Sequence, residues 1–184
     1  MRGALLVLFL GALALMLQGA LATFLPSALC PDLRLLLVIG AALHLGAASG
    51  LLVTAALGYG TDLLSGALLG QNAFLGLLVF AAARAVDGTL ELRRPIPTAI
   101  FAAVVSPLCG LGLTGLSWLF GAGPPLDLHA ALVLGLQALV NAVCAPFVIS
   151  AVGEGVGWTG EAEAPRRGGS LGRPTPLGGA RSPR

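Results

Sequence analysis

The residue of this sequence with the clearest capacity for chemistry is Asp62, because it lies toward the end of a long hydrophobic segment. An aspartate at the centre of a membrane helix costs roughly 2.5–3.5 kcal/mol, and such a residue normally faces protein or water and marks function. We expect Asp62 to anchor the turn after its own segment or to contact a partner helix. The alternative is an interfacial aspartate that caps the turn before Ser65 and Gly66. A charge relay for transport would need more ionisable groups within the membrane than this one.

Other polar residues of the apolar segments favour packing over chemistry. Gln137 and Asn141 are four residues apart, which predicts hydrogen bonds to a neighbouring helix, with a polar cavity as the alternative. His44 and His129 have no partner at the spacing of metal ligands, so we expect structural or interfacial roles for both.

No arrangement of residues is typical of an enzyme. The sequence has no Ser/His/Asp set, no phosphate-binding Walker loop and no HExxH motif, and Asp87 and Glu91 beside Arg93 and Arg94 predict a solvated, ion-paired turn. The three cysteines have no CxxC spacing and are expected to be buried thiols: Cys30, Cys109 and Cys144. We therefore expect no enzymatic activity, no cofactor and no metal site.

The composition predicts an integral membrane protein. Of the 184 residues, 57% are hydrophobic and 10% are charged, with a mean hydropathy of +0.94. A soluble domain carries about 25% charged residues, so too little polar surface is present for a soluble enzyme, a nucleic-acid-binding domain or a disordered protein. The charges of residues 1–152 cancel, and the net charge of +2 lies in residues 153–184.

Hydrophobic segments and arginine positions together predict an all-α bundle of six transmembrane helices, with five as the alternative. The apolar stretch 33–83 fits two long spans or three short ones. Three spans place both Arg2 and the loop that carries Arg84, Arg93 and Arg94 in the cytoplasm, as the positive-inside rule requires. The predicted spans lie near residues 4–25, 33–47, 50–64, 70–86, 97–120 and 129–152, and some of the short ones are re-entrant or broken.

Both ends of the chain leave an alternative open. Arg2, the apolar run and Ala20-Leu21-Ala22 also fit a cleaved signal peptide, but a retained first helix is the simpler interpretation because the run exceeds the usual length. Residues 153–184 are rich in Gly, Pro, Arg and Ser, which predicts a disordered cytoplasmic tail. Its arginines either lie against anionic lipid or are simply solvated.

Residues 31–84 carry an ordered series of motifs that resembles the rod shape-determining protein MreD family. The series comprises PDLRLLLV at 31–38, ALHLG at 42–46 and DLLSGALLG at 62–70. At residues 44–45 the family often has a basic residue, and the tail lies outside the family pattern. The candidate residues for a partner or packing site are Pro31, Asp32, Gly46, Gly50, Asp62, Ser65, Gly66 and Gly70. The pairs Gly46/Gly50 and Gly66/Gly70 have the small-xxx-small spacing that predicts close helix packing.

The resemblance implies a non-catalytic scaffold in the bacterial inner membrane, and the arginine positions predict that both termini are cytoplasmic. Such a protein maintains rod shape and lateral cell-wall synthesis within the cell-elongation complex. Its implied partner is MreC, which has a single span and a periplasmic coiled coil and connects the complex to MreB filaments and peptidoglycan synthases.

The family fold is thought to be similar to the six-helix substrate-binding component of energy-coupling-factor transporters. The alternative function is therefore a vitamin-binding membrane subunit, which predicts association with ATPase subunits and a polar cavity built from Asn72, Gln137 and Asn141. The small number of polar groups favours the scaffold, because a vitamin site needs several convergent donors and acceptors. A small membrane protein without a partner is a third interpretation.

Overall fold

The computed structural model describes residues 2–66, 68–120 and 127–160. A short 3₁₀ turn, Ser27–Leu29, follows the first of six α-helices in these residues. The helices are α1 (Arg2–Phe24), α2 (Leu33–His44), α3 (Ala47–Ser65), α4 (Gln71–Leu90), α5 (Pro95–Leu119) and α6 (Leu128–Trp158). All but α2 are long and apolar enough to cross a membrane. The prediction of a polytopic bundle of six helices is confirmed.

The short helix α2 lies at the centre of the bundle. Every residue from Arg34 to Leu43 is buried, and α2 packs against α1, α3, α4 and α6. Its 12 residues extend about 18 Å at the helical rise, whereas a hydrocarbon core is about 30 Å thick. A helix this short is stable at membrane depth because protein surrounds it, and its ends need not reach water.

Helix α2 begins beside the middle of α6 and near the start of α4. Its N-cap, Asp32, donates its backbone N–H to Oδ1 of Asn141 at 2.8 Å, and Asn141 lies near the middle of α6. The 3₁₀ turn before it packs against α6. The segment that connects α1 to α2 therefore runs into the bundle. In place of the predicted span 33–47, the structure has this connecting segment followed by the short helix α2.

Contacts between helices place the helix ends at two opposite ends of the bundle. At one of them, here called the arginine end, Leu6 of α1 packs against Gly155 of α6, and His44 packs against Gly153. The α4–α5 connection lies there too, because Arg93 bonds to the carbonyl of Leu43. At the other, the Asp62 end, lie the end of α3, the start of α4 and the end of α5.

Two helices extend beyond the predicted spans. Helix α4 continues to Leu90, so Arg84 and Asp87 lie on a helix and not in a loop. Helix α6 continues to Trp158, past the predicted span end at 152. Residue 67 of the family motif and the predicted tail from residue 161 onward lie outside the described residues.

Candidate functional site: a buried polar layer

Asp62 binds the start of the next helix. Its side chain is fully buried, and its carboxylate accepts hydrogen bonds from the backbone N–H of Gly70 at 2.8 Å, the backbone N–H of Asn72 at 3.1 Å and Nδ2 of Asn72 at 2.7 Å. The first N–H groups of a helix have no partner within it and carry partial positive charge. A carboxylate on α3 thus satisfies the N-terminus of α4 and closes the turn between the two helices.

Gly58 allows this contact by bringing the two backbones together. A Cβ atom at position 58 would lie 2.4 Å from Cα and 2.6 Å from N of Ala73. Gly58 precedes Asp62 by four residues and therefore lies on the same face of α3. Gly58 belongs to the polar stretch around Asp62 in the sequence, but a packing role for it was not predicted; the signal that could have found this role is its spacing to the only acidic residue of the segment.

Three of the four glycines in the predicted pairs do not pack against another helix. Gly66 (φ 64°) and Gly70 (φ 92°) have left-handed backbone conformations, and no described atom beyond their chain neighbours and adjoining helix backbone lies within 4 Å of the position that a Cβ would take. Glycine is favoured at both positions because the α3–α4 turn requires these left-handed conformations. A Cβ at Gly46 would lie 3.6 Å from Oγ of Ser49, which is on its own helix. A Cβ at Gly50 would lie 2.5 Å from the ring of Phe80 on α4. Close packing is therefore restricted to Gly50 among these four.

Arg34 connects the start of α2 to the start of α4. The side chain is 6% exposed, and its Nη1 donates to the carbonyl oxygen of Asn72 at 3.2 Å. Its Nη2 lies 3.5 Å from Oδ2 of Asp32, whose Oδ1 accepts the N–H of Leu35 and caps α2. Pro31 is half-buried just before this cap. In the sequence Arg34 stands out only as a charge within the motif at 31–38, and this role was not predicted.

A continuous chain of hydrogen bonds unites five helices in what we call the buried polar layer. Nδ2 of Asn141 donates to Oγ of Ser106 at 2.7 Å, and Oδ1 of Asn141 accepts from Asp32. The chain continues from Asp32 through Arg34 to Asn72 and Asp62. The layer comprises Asp32, Arg34, Asp62, Asn72, Ser106 and Asn141. Because buried polar groups are costly when unpaired, this arrangement fixes the relative positions of α2 to α6.

Gln71 adds a second connection between α4 and α5. Its Nε2 donates to the carbonyl of Leu113 at 2.9 Å and lies 3.3 Å from Oγ of Ser117. Asn72 and Asn141, two residues of the predicted vitamin cavity, use their amides within the layer, and Gln137 is half-buried on α6.

At the arginine end, two cations bind the last carbonyl groups of α2. Nη1 of Arg84 donates to the carbonyls of Ala42 at 3.2 Å and Leu45 at 2.8 Å, and Nη2 of Arg93 donates to Leu43 at 2.7 Å. A cation is stabilising at the negative C-terminal end of a helix. The prediction of an ion-paired turn is confirmed, since Nε of Arg93 lies 4.0 Å from Oδ2 of Asp87, but the prediction that the turn is solvated is wrong for Arg93, which points inward.

The exposed ion pair of this turn joins Arg94 to Glu91, with 2.6 Å between Nε and Oε2 and both side chains about two-thirds exposed or more. His44 packs against α6, and His129 is exposed at the start of that helix. Cys30 and Cys109 are buried free thiols, and Cys144 is partly buried. The described residues contain no group of three His, Cys, Asp or Glu side chains that could hold a metal ion.

The family of this chain is given by a match that covers most of the bundle. The chain matches the family described as rod shape-determining protein MreD over residues 2–145. The chain belongs to the MreD family. It is a multi-pass membrane protein of a rod-shape-determining family, as the motifs at 31–38, 42–46 and 62–70 predict. No curated protein and no solved structure matches it, so likeness to energy-coupling-factor components stays a prediction.

The MreD match includes every residue of the buried polar layer. The structure brings together six of the eight candidate residues: Pro31 and Asp32 at the start of α2, and Asp62, Ser65, Gly66 and Gly70 at the α3–α4 turn. Ser65 is exposed, and its Oγ donates to the carbonyl of Asp62 at 3.4 Å. Gly46 and Gly50 lie apart from this group, at the start of α3 near the arginine end.

Proposed function

We propose that this protein is a non-catalytic scaffold of the bacterial cell-elongation complex that supports rod shape and lateral cell-wall synthesis. The observation that carries the proposal is the MreD match, which covers α1 to α5 and the part of α6 that contributes to the buried polar layer. In this role the protein holds an MreC-type single-span partner, and through it MreB filaments and peptidoglycan synthases.

The distribution of polar groups supports a scaffold. The hydrogen bonds of Asp62, Asn72 and Asn141 hold helices together. Large apolar side chains cover much of the outside, among them Phe9 on α1, Leu132 and Phe147 on α6. A rigid bundle with an apolar exterior is suited to contact lipid and the membrane helix of a partner. The motif residues then act by fixing the shape of that exterior.

We also propose that the arginine end faces the cytoplasm of a bacterial inner membrane. Arg84, Arg93 and Arg94 lie at this end, together with the starts of α1 and α5 and the end of α6. Arginines flanking membrane spans are retained on the cytoplasmic side. The N-terminus and the end of α6 are then both cytoplasmic, in agreement with the arginines of residues 161–184.

Depletion of the protein in its native host tests the proposed role. We expect depleted rods to become round, with loss of fluorescent D-amino-acid incorporation along the lateral wall, and expression of the wild-type chain to restore both. Rods that persist after depletion, or growth that a vitamin supplement restores, would contradict the scaffold and favour the transporter subunit.

A further inference from the structure

A cavity of about 530 Å³ lies at the Asp62 end beside the buried polar layer. Its polar lining includes Gln18 of α1, Asp32 and Arg34 of α2, and Asn72 of α4. Leu15 of α1 and Leu64 of α3 add apolar surface, and Leu64 is 74% exposed, so the cavity reaches the outside of the bundle. A volume of this size is in the range of small-molecule sites.

One acceptor in this cavity has no donor. Oε1 of Gln18 is buried and has no hydrogen-bond partner among the residues that the structure describes. Within a membrane such an atom is costly, because no lipid tail can donate to it. Oε1 is enclosed by protein in this structure, so a ligand that carries an N–H or O–H group would satisfy it once the side-chain amide of Gln18 turns toward the cavity.

Two opposite charges lie in the same cavity. Asp32 and Arg34 form a long ion pair, 3.5 Å, with side chains 20% and 6% exposed. A guanidinium has five N–H groups, and those of Arg34 make two hydrogen bonds within the described part of the chain, at 3.2 and 3.5 Å. The guanidinium therefore has donors for an anionic oxygen, while the carboxylate of Asp32 can accept from a cation.

We propose that this cavity binds the head group of a zwitterionic amphiphile. The ammonium group donates to Gln18 and Asp32, and the phosphate or carboxylate accepts from Arg34, so each charge meets its opposite. The apolar edge at Leu15 and Leu64 receives the start of an acyl chain. A free zwitterion has the same polar chemistry without that chain. This site does not depend on the proposed scaffold role.

Lipid binding to the purified full chain in detergent tests the site. We use native mass spectrometry with dioctanoyl phosphatidylethanolamine, and dioctanoyl phosphatidylcholine as the lipid with equal chains and equal charges whose ammonium group carries no N–H. We expect the first lipid to bind about tenfold more tightly or better, since a site built to hydrogen-bond a group discriminates against an analogue that lacks it.

Gln18→Leu removes the unpaired acceptor and breaks no internal hydrogen bond, so the variant is expected to fold. We expect it to lose about tenfold in phosphatidylethanolamine affinity, in keeping with one hydrogen bond to a charged group. Gln137→Leu makes the same change on α6 away from the cavity and should bind as the wild type does.

Glycerophosphoethanolamine separates the two sources of the head group. Gln18-dependent binding of the lipid alone supports an amphiphile, and equal Gln18-dependent binding of the free head group supports a water-soluble zwitterion in the same site. Equal binding of the two lipids, or a Gln18→Leu variant that binds as the wild type does, would overturn the proposal.

Discussion

A single carboxylate closes the connection between α3 and α4. Asp62 receives three hydrogen bonds, two of them from the backbone at the start of α4. In Asp62→Asn, one carboxylate oxygen becomes an NH₂ group that cannot accept. We expect the free energy of unfolding to fall by about 1–3 kcal/mol for each donor left unpaired, measured as a lower Tm in detergent.

Asp127→Asn is the matched control for this change. Asp127 is the exposed N-cap of α6, where its Oδ1 accepts the N–H of Ala130 at 2.8 Å. Asparagine caps a helix about as well as aspartate does, so the Tm of this variant should equal that of the wild type. Equal stability of both variants would refute the role of Asp62 as an internal cap.

Gly58 is the second residue on which the α3–α4 contact depends. In Gly58→Ala the new Cβ would overlap Cα and N of Ala73, and neither backbone can move without separating the helices. We expect a large loss of stability and of purified yield. Gly60→Ala on the same helix meets only a side-chain carbon of Leu15, at 4.0 Å, and should gain roughly 0.5–1 kcal/mol from helix propensity. Indistinguishable melting curves for the two variants would count against the close contact.

The helix α2 is an element held at both ends by charges. Asp32 caps its N-terminus, and Arg84 and Arg93 bind its last carbonyls. Arg93→Met should lower stability by about 1–3 kcal/mol, because a hydrogen bond from a charged group is lost near the helix C-terminus. Thermal unfolding and amide hydrogen exchange of α2 measure this effect.

Arg94→Met serves as the control for the arginine end. The Arg94–Glu91 pair is solvent-exposed, and exposed pairs contribute about 0–1 kcal/mol. Equal loss of stability in Arg94→Met and Arg93→Met would contradict the prediction that the contact of Arg93 with α2 stabilises the protein.

The elements could be predicted from the sequence to the extent that local signals define them. Apolar runs of sufficient length, together with Pro26, Pro31 and Pro97, indicate six helices near their observed positions. The enclosed position of α2 could not be predicted, because an apolar run of this length fits a short span equally well. Enclosure by four other helices is a property of the tertiary structure.

The candidate site was predictable only in part, for a similar reason. Asp62 is conspicuous because it is a charge in an apolar segment. Its neighbours in the layer come from distant parts of the chain: Asn141 is 109 residues from Asp32, and Ser106 is 35 residues from Asn141. The spacing of Gly66 and Gly70 indicated packing, but that spacing cannot distinguish a glycine needed for close approach from one needed for a left-handed turn.

The whole molecule has a sidedness that reporter fusions can measure. With the arginine end in the cytoplasm, alkaline phosphatase fused after Leu119 should be active, and the same enzyme fused after Trp158 should be inactive. Green fluorescent protein at these two positions serves as the reciprocal control. Phosphatase activity after Trp158 would place the arginine end outside and contradict the proposed orientation.

The scaffold proposal concerns the whole molecule and its partner, and affinity purification tests it most directly. The tagged full chain is solubilised from native membranes, and co-purifying proteins are identified and quantified by mass spectrometry, with Gly58→Ala as a variant whose bundle is disturbed. We predict recovery of a single-span coiled-coil protein together with cell-wall synthases, reduced for the variant relative to the amount of chain captured. Recovery of ATPase subunits in their place would contradict the scaffold and direct attention to a bound vitamin.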